Sequence, residues 1–271
     1  MKKLTVFCIA LVLAIACARV PLSDRRQFTP LPVAQMVTLG KTTYSQVLQE
    51  SQVASTSQQA QRVKAVGERI AAVVEEYLRN NNDADRIEGY EWEFSVIESN
   101  QLNAWALPGG KVAFYTGILP ICKTDDGIAT VMAHEIAHSI AHHGNERMSQ
   151  QLAVQLGGAA LQVALRNKPQ QTMQLAMTAF GIGSQVGLLL PFSRKHEREA
   201  DELGLYFMTM AGYDPSAAPD FWQRMMEANS NRQAPPELLS THPSPYSRVR
   251  YLRKLIPEAR AFAEDRGYLA R

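Results

Sequence analysis

Thr124-Asp125-Asp126-Gly127-Ile128-Ala129-Thr130-Val131-Met132-Ala133-His134-Glu135-Ile136-Ala137-His138 combines a helix start with two histidines four residues apart. A threonine able to cap, two acids in the turn that follows and Gly144 as a stop punctuate a helix around it. On that helix His134 and His138 lie on one face, about 6 Å apart along the axis, so both imidazoles can converge on one zinc ion. Glu135 lies about 100° further round, beside the metal rather than on it, where a carboxylate serves as general base toward water. The same five-residue pattern recurs by chance in unrelated proteins. Here Ala133, Ala137, Ile140 and Ala141 make the helix fit for burial, and burying two histidines and a glutamate without a shared partner would be costly.

Zinc needs a third protein ligand, and its identity separates the lineages. His142 is a poor candidate, about 12 Å along the axis from His134, and His143 points nearly opposite to it. The metzincin spacing requires glycine and histidine where Ala141 and Gly144 stand, which excludes that branch. A carboxylate on a later helix remains, and Glu197-Arg198-Glu199-Ala200-Asp201 offers one after a plausible cap at Ser193. Glu197 and Asp201 share a face, so Glu197 can bind zinc while Asp201 accepts the free N–H of a ligand histidine. Glu199 is expected to face away. By itself this charged run, with Arg194, Lys195 and Arg198, reads as a solvated helix surface; the paired histidines upstream decide for a ligand.

Outward from these motifs, residues 33–80 carry helical spacing without an internal proline and predict two helices, with Val63, Val66, Ile70, Val73 and Tyr77 on one face. Residues 90–98 and 112–115 are β-prone, and Pro108-Gly109-Gly110 between them is a turn signal, so a small antiparallel sheet is expected. After Thr124 the chain reads as helical, with breaks at Gly144, Pro191, Gly212-Tyr213-Asp214-Pro215 and residues 229–245. The apolar stretches 152–165 and 173–191 are interrupted by glycines and glutamines and read as packed helices, with contact to a membrane as the minority reading. The fold class is α+β, mostly helical, with residues 33–271 as a single domain.

Hydrophobic residues make up 46% of the 271, enough for a buried core, and 28 basic against 26 acidic residues leave no single-sign field for nucleic acid. The cysteines are Cys8, Cys17 and Cys122, which excludes a disulfide scaffold. Residues 1–16, with Lys2 and Lys3 ahead of an uncharged run of 13 residues, read as a signal peptide. Ala14-Ile15-Ala16-Cys17 resembles a bacterial lipobox, so a lipid anchor at Cys17 and a tether over residues 17–32 are expected. The address is then the periplasmic face of the bacterial outer membrane, or the soluble periplasm if Cys17 is unmodified.

Asn103-Ala104-Trp105-Ala106-Leu107-Pro108-Gly109-Gly110, Tyr115-Thr116-Gly117, the HEIAH motif, the run from Ser193 to Asp201 and Ser240-Thr241-His242-Pro243 occur here in one order. In these strings the sequence resembles the zinc metallopeptidase family of the CAAX prenyl protease and HtpX, nearest to its exported lipoprotein members of LoiP and BepA type. The resemblance implies a zincin-like gluzincin with one zinc per chain, His134, His138 and Glu197 as ligands and Glu135 as base. It also implies that His242 lies near the metal and stabilises the oxyanion, and that Arg248 orients this region or a ligand carboxylate. The expected function is a zinc endopeptidase of the cell envelope that degrades misfolded or damaged polypeptides. The alternative is a chaperone or assembly factor for outer-membrane proteins with a mainly structural zinc.

Overall fold

A computed structural model describes residues 17–230, 242 and 245–269. The segment read as a signal peptide, residues 1–16, and most of the stretch 231–244 lie outside the described residues. The elements are β1 (Cys17–Arg19), β2 (Arg26–Phe28), α1 (Val33–Gln49), α2 (Gln58–Asn80), β3 (Glu93–Ile97), β4 (Ala104–Leu107), β5 (Lys111–Tyr115), α3 (Asp125–Ile140), α4 (His143–Ala164), α5 (Gln170–Ser184), α6 (Leu190–Met210), α7 (Ala217–Ser230) and α8 (Pro245–Asp265). The result is a mostly helical α+β fold.

Helix α3 runs through the middle of the molecule, and every residue from Gly127 to Ile140 is buried. The Thr124 hydroxyl caps it, accepting from the Gly127 N–H at 3.2 Å, and Asp125 and Asp126 occupy its first turn, where acids complement the dipole. Its stop differs from expectation. The helix ends at Ile140 and turns on His142, which adopts a left-handed φ of 52°, so Gly144 lies inside α4. Against α3 packs α6, and the approach is possible because residue 204 is glycine: a Cβ there would stand 3.0 Å from the His134 backbone nitrogen. Helix α2 covers another side with Val63, Val66, Ile70 and Tyr77, but the third buried valine is Val74 rather than Val73.

The sheet is mixed, in the order β3-β5-β4. Pro108-Gly109-Gly110, with φ of 92° and 79° at the two glycines, joins β4 to β5 as an antiparallel hairpin. β3 then pairs with the other side of β5 in parallel. The antiparallel expectation failed because the short β4 was missed and its turn credited to β3. The segment 17–32, expected to be a tether, packs instead. β1 and β2 form a hairpin, Val20 and Gln27 are buried, and Arg25 reaches into the protein between α4 and α6.

Three further expectations change. Ser193 is no cap, since α6 already starts at Leu190, and the chain does not break at Pro191 because one π turn over Gln185–Leu189 leads directly into α6. The apolar stretches 152–165 and 173–191 are helical but not packed into the core: no residue of α5 is buried.

Candidate metal centre and catalytic cleft

His134, His138, Glu197 and His242 are all buried, and one donor atom from each lies within 4.8 Å of all the others. His134 and His138 come from α3 and Glu197 from α6, so the two helices held together at Gly204 supply the donors. His134 Nε2 lies 3.1 Å from His138 Nε2 and 3.2 Å from His242 Nδ1. Glu197 Oε2 lies 2.6 Å from His242 Nδ1, while Glu197 Oε1 is buried without a hydrogen-bond donor. Ring nitrogens that face one another and a carboxylate oxygen without a donor are poorly served by protons alone. A shared cation would satisfy them together, and the set of imidazole nitrogen and carboxylate oxygen suits zinc.

Burial would raise the Glu197 carboxyl, but His242 and His138 hold it well below the usual carboxylate range. At His134, burial and the Arg248 charge push down, yet the hydrogen bonds to Asp201 and Glu197 prevail and raise it to about 9. The carboxylates thus favour positive charge at the centre of the group. Asp201 Oδ1 stands 3.2 Å from His134 Nδ1, the nitrogen away from the donor cluster. Arg248 clasps Asp201 through Nε at 2.7 Å and a terminal nitrogen at 2.5 Å, reaches within 3.5 Å of Glu197 Oε2 and lies 3.5 Å over the Trp222 ring. An Arg fork on Asp201 fixes the carboxylate that in turn faces the His134 ring.

Glu135 is buried with Oε1 unpartnered, 3.6 Å from His242 Nε2. Burial raises its carboxyl above the ordinary value, in the direction a base working near neutrality requires. Both residues open onto a cleft of about 390 Å³, bounded by α1 residues such as Met36 and Val37, by Trp105 and Leu107 of β4, and by Met148 at the start of α4. The strand along this cleft is β4, at the edge of the sheet, and β5 is the central strand.

Behind His138 lies a second buried network. His138 Nδ1 is 2.9 Å from His143 Nδ1, and His143 Nε2 is 2.9 Å from Glu199 Oε2. Arg25 forks onto Glu146 at 2.8 and 3.0 Å and onto Glu199 at 2.9 and 3.0 Å. His196 binds Glu146 at 2.9 Å, and Ser23 donates to Glu199. Glu199 therefore does not face solvent, because α4 and the N-terminal hairpin cover that side of α6. Reading the sequence missed Arg25, Glu146, His143 and His196 as partners. The signal available was that the chain has six histidines and all fall at or beside the metal motifs.

Residues 57–256 match the family model described as peptidase family M48. The chain is 35% identical over 252 residues to the mitochondrial metalloendopeptidase OMA1 of Schizosaccharomyces pombe, covering 90% of this chain and 68% of that protein. It is 33% identical to the protein of the same name from Saccharomyces cerevisiae, over 91% of this chain and 71% of the relative. To the beta-barrel assembly-enhancing protease of Escherichia coli it is 31% identical, over 58% of this chain and 33% of that protein. These matches correct one expectation. Relatives aligned over nine tenths of the chain are mitochondrial enzymes, which overturns the placement as a lipoprotein of the bacterial outer membrane. Since the family model spans well over half of the chain and the relatives are named as metalloendopeptidases, the chain belongs to peptidase family M48 and is a zinc metalloendopeptidase.

Proposed function

We propose that the chain is a quality-control endopeptidase that cleaves unfolded or misfolded polypeptides in the cleft between α1 and β4, with His134, His138 and Glu197 holding one zinc. The observation that carries this reading is Glu135: a buried carboxylate with an oxygen that accepts no hydrogen bond, next to the donor group and open to an apolar cleft. A structural zinc site has no use for such a group. Zinc, when bound, supplies a Lewis acid that polarises a carbonyl and acidifies water. Glu135 takes the proton from the attacking water and returns it to the leaving amine. His242 donates to the carbonyl oxygen as negative charge develops. Asp201 and Arg248 keep the His134 ring in its ligating orientation. An extended substrate lies along β4 by backbone pairing, which selects for chain that is not folded.

The ligand assignment is tested by metal content. Glu197→Ala should lower zinc from about one per chain to a small fraction of that by elemental analysis, with α3 and α6 still folded by circular dichroism. Full zinc occupancy in Glu197→Ala would remove Glu197 from the ligand set.

A further inference from the structure

The longest apolar feature of the chain does not serve its core. Helices α4 and α5 form a hairpin inserted between the histidine helix and the Glu197 helix, and it is held together where the Phe180 ring seats on a glycine pair: a Cβ on Gly157 would stand 3.1 Å from that ring, and one on Gly158 3.5 Å. Its outer faces are apolar and exposed. On α4 the stripe runs through Met148, Leu152, Leu156 and Val163, at helical steps of four, four and seven; Leu156 and Val163 are each 63% exposed. On α5 and the π turn it runs through Leu175, Ile182 and Val186, with Leu175 at 74%.

Charge along the insert is one-sided. From residue 147 to residue 196 there is no Asp or Glu, although the whole chain has 26 in 271 residues. The cations sit at its ends: Arg166 and Lys168 at the tip, and Arg147, Arg194 and Lys195 at the base, all exposed. A segment built to stay in water would carry acids among its exposed apolar residues; a segment built to meet an anionic lipid surface would exclude them and keep cations at its margins.

Gln170–Met210 is long and apolar enough to cross a bilayer, and none of its most apolar window is buried, so that window takes no part in the core that the later turns of α6 help to form. Eight glutamines between residues 150 and 185 make a full crossing expensive and fit partial insertion at the interface.

We propose that the α4–α5 hairpin is a membrane-docking element whose exposed apolar faces insert into an anionic bilayer surface. Met148 begins the α4 stripe and also lines the catalytic cleft, so docking through the hairpin sets the mouth of the cleft close to the lipid and brings membrane-proximal polypeptide to it.

The test uses the full chain with Cys8→Ser and Cys17→Ser, Cys122 being buried, and an environment-sensitive fluorophore at Leu175→Cys or, as control, at Lys64→Cys on α2. Vesicles of phosphatidylcholine with phosphatidylglycerol should shift the emission at position 175 to the blue and leave position 64 unchanged. Vesicles of phosphatidylcholine alone should need at least about tenfold more lipid for half the effect, since cations near an anionic surface each add appreciable affinity. In a chain carrying Leu156→Glu, Leu175→Glu and Ile182→Glu, a fluorophore at Val186→Cys should lose the response, while zinc content and cleavage of a soluble unfolded protein remain unchanged. Because all three side chains are exposed, the variant folds or fails on its own evidence. An unresponsive position 175, an equal response at position 64, or a response that survives the three glutamates would overturn the proposal. A blue shift that appears on concentrating the protein without vesicles would assign the face to a second copy of the chain instead.

Discussion

Glu135→Gln should cut polypeptide cleavage by at least about a hundredfold, the lower range for loss of a general base, while zinc content and thermal stability stay near those of the parent. The substitution keeps the volume of a side chain that is 3% exposed and keeps a carbonyl acceptor, but the amide cannot take a proton from water. Stability should not fall, because Glu135 Oε1 has no donor to lose and burial already disfavours its charged form. The comparison that decides is kcat on an unfolded protein substrate against metal content in the same preparation. Retained cleavage at full zinc occupancy would move the base elsewhere. A variant that cleaves nothing yet restores cellular function would favour the chaperone or assembly-factor role.

The second large effect is expected at Arg25, which touches none of the metal donors itself but anchors the network behind His138. Arg25→Met should destabilise the protein by about 3–5 kcal/mol, the range for breaking a buried ion pair and leaving its partner charge behind. Two buried carboxylates, Glu146 and Glu199, share this one guanidinium. Burial would raise both, but hydrogen bonds from His196 and Arg25 hold Glu146 at about 2, and those from His143, Arg25 and Ser23 hold Glu199 at about 2. A carboxylate depressed in the folded state gives stability that is fully present above its unfolded pKa and is lost as pH falls through the folded value. The parent should therefore lose this contribution between about pH 4.5 and pH 2, and Arg25→Met should begin to unfold nearer the upper end. Urea unfolding at a series of pH values measures both, and a cost under about 1 kcal/mol would reduce the pairs to the status of surface salt bridges.

The contrast between these two residues shows what a sequence discloses. Glu135, His134 and His138 were legible because helix geometry fixes their relation within one turn, and Glu197 with Asp201 was legible for the same reason once a partner for the histidines was sought. Arg25 was not, since its partners lie 121 and 174 residues away and its neighbours Pro21, Ser23 and Pro30 have the composition of a linker. Glu199 failed differently. Its 200° offset from Glu197 does turn it to the opposite face of α6, but a face opposite the metal is not a face toward water when α4 and the hairpin cover it. The parallel pairing of β3 with β5 was hidden because it is set by a connection through β4, a four-residue strand with weak alternation of its own.

With His134, His138 and Glu197 as the proposed ligands, the division of the donors between α3 and α6 would make the metal a cross-link. His138 and Glu197 are separated in sequence by the entire α4–α5 hairpin, so an ion bound by both closes that loop, much as a disulfide would, and does so reversibly. Each tenfold rise in free zinc above the dissociation constant should add about 1.4 kcal/mol to stability. The unfolding midpoint then becomes a function of zinc supply, and a cell short of zinc would hold the enzyme in a less stable and inactive form.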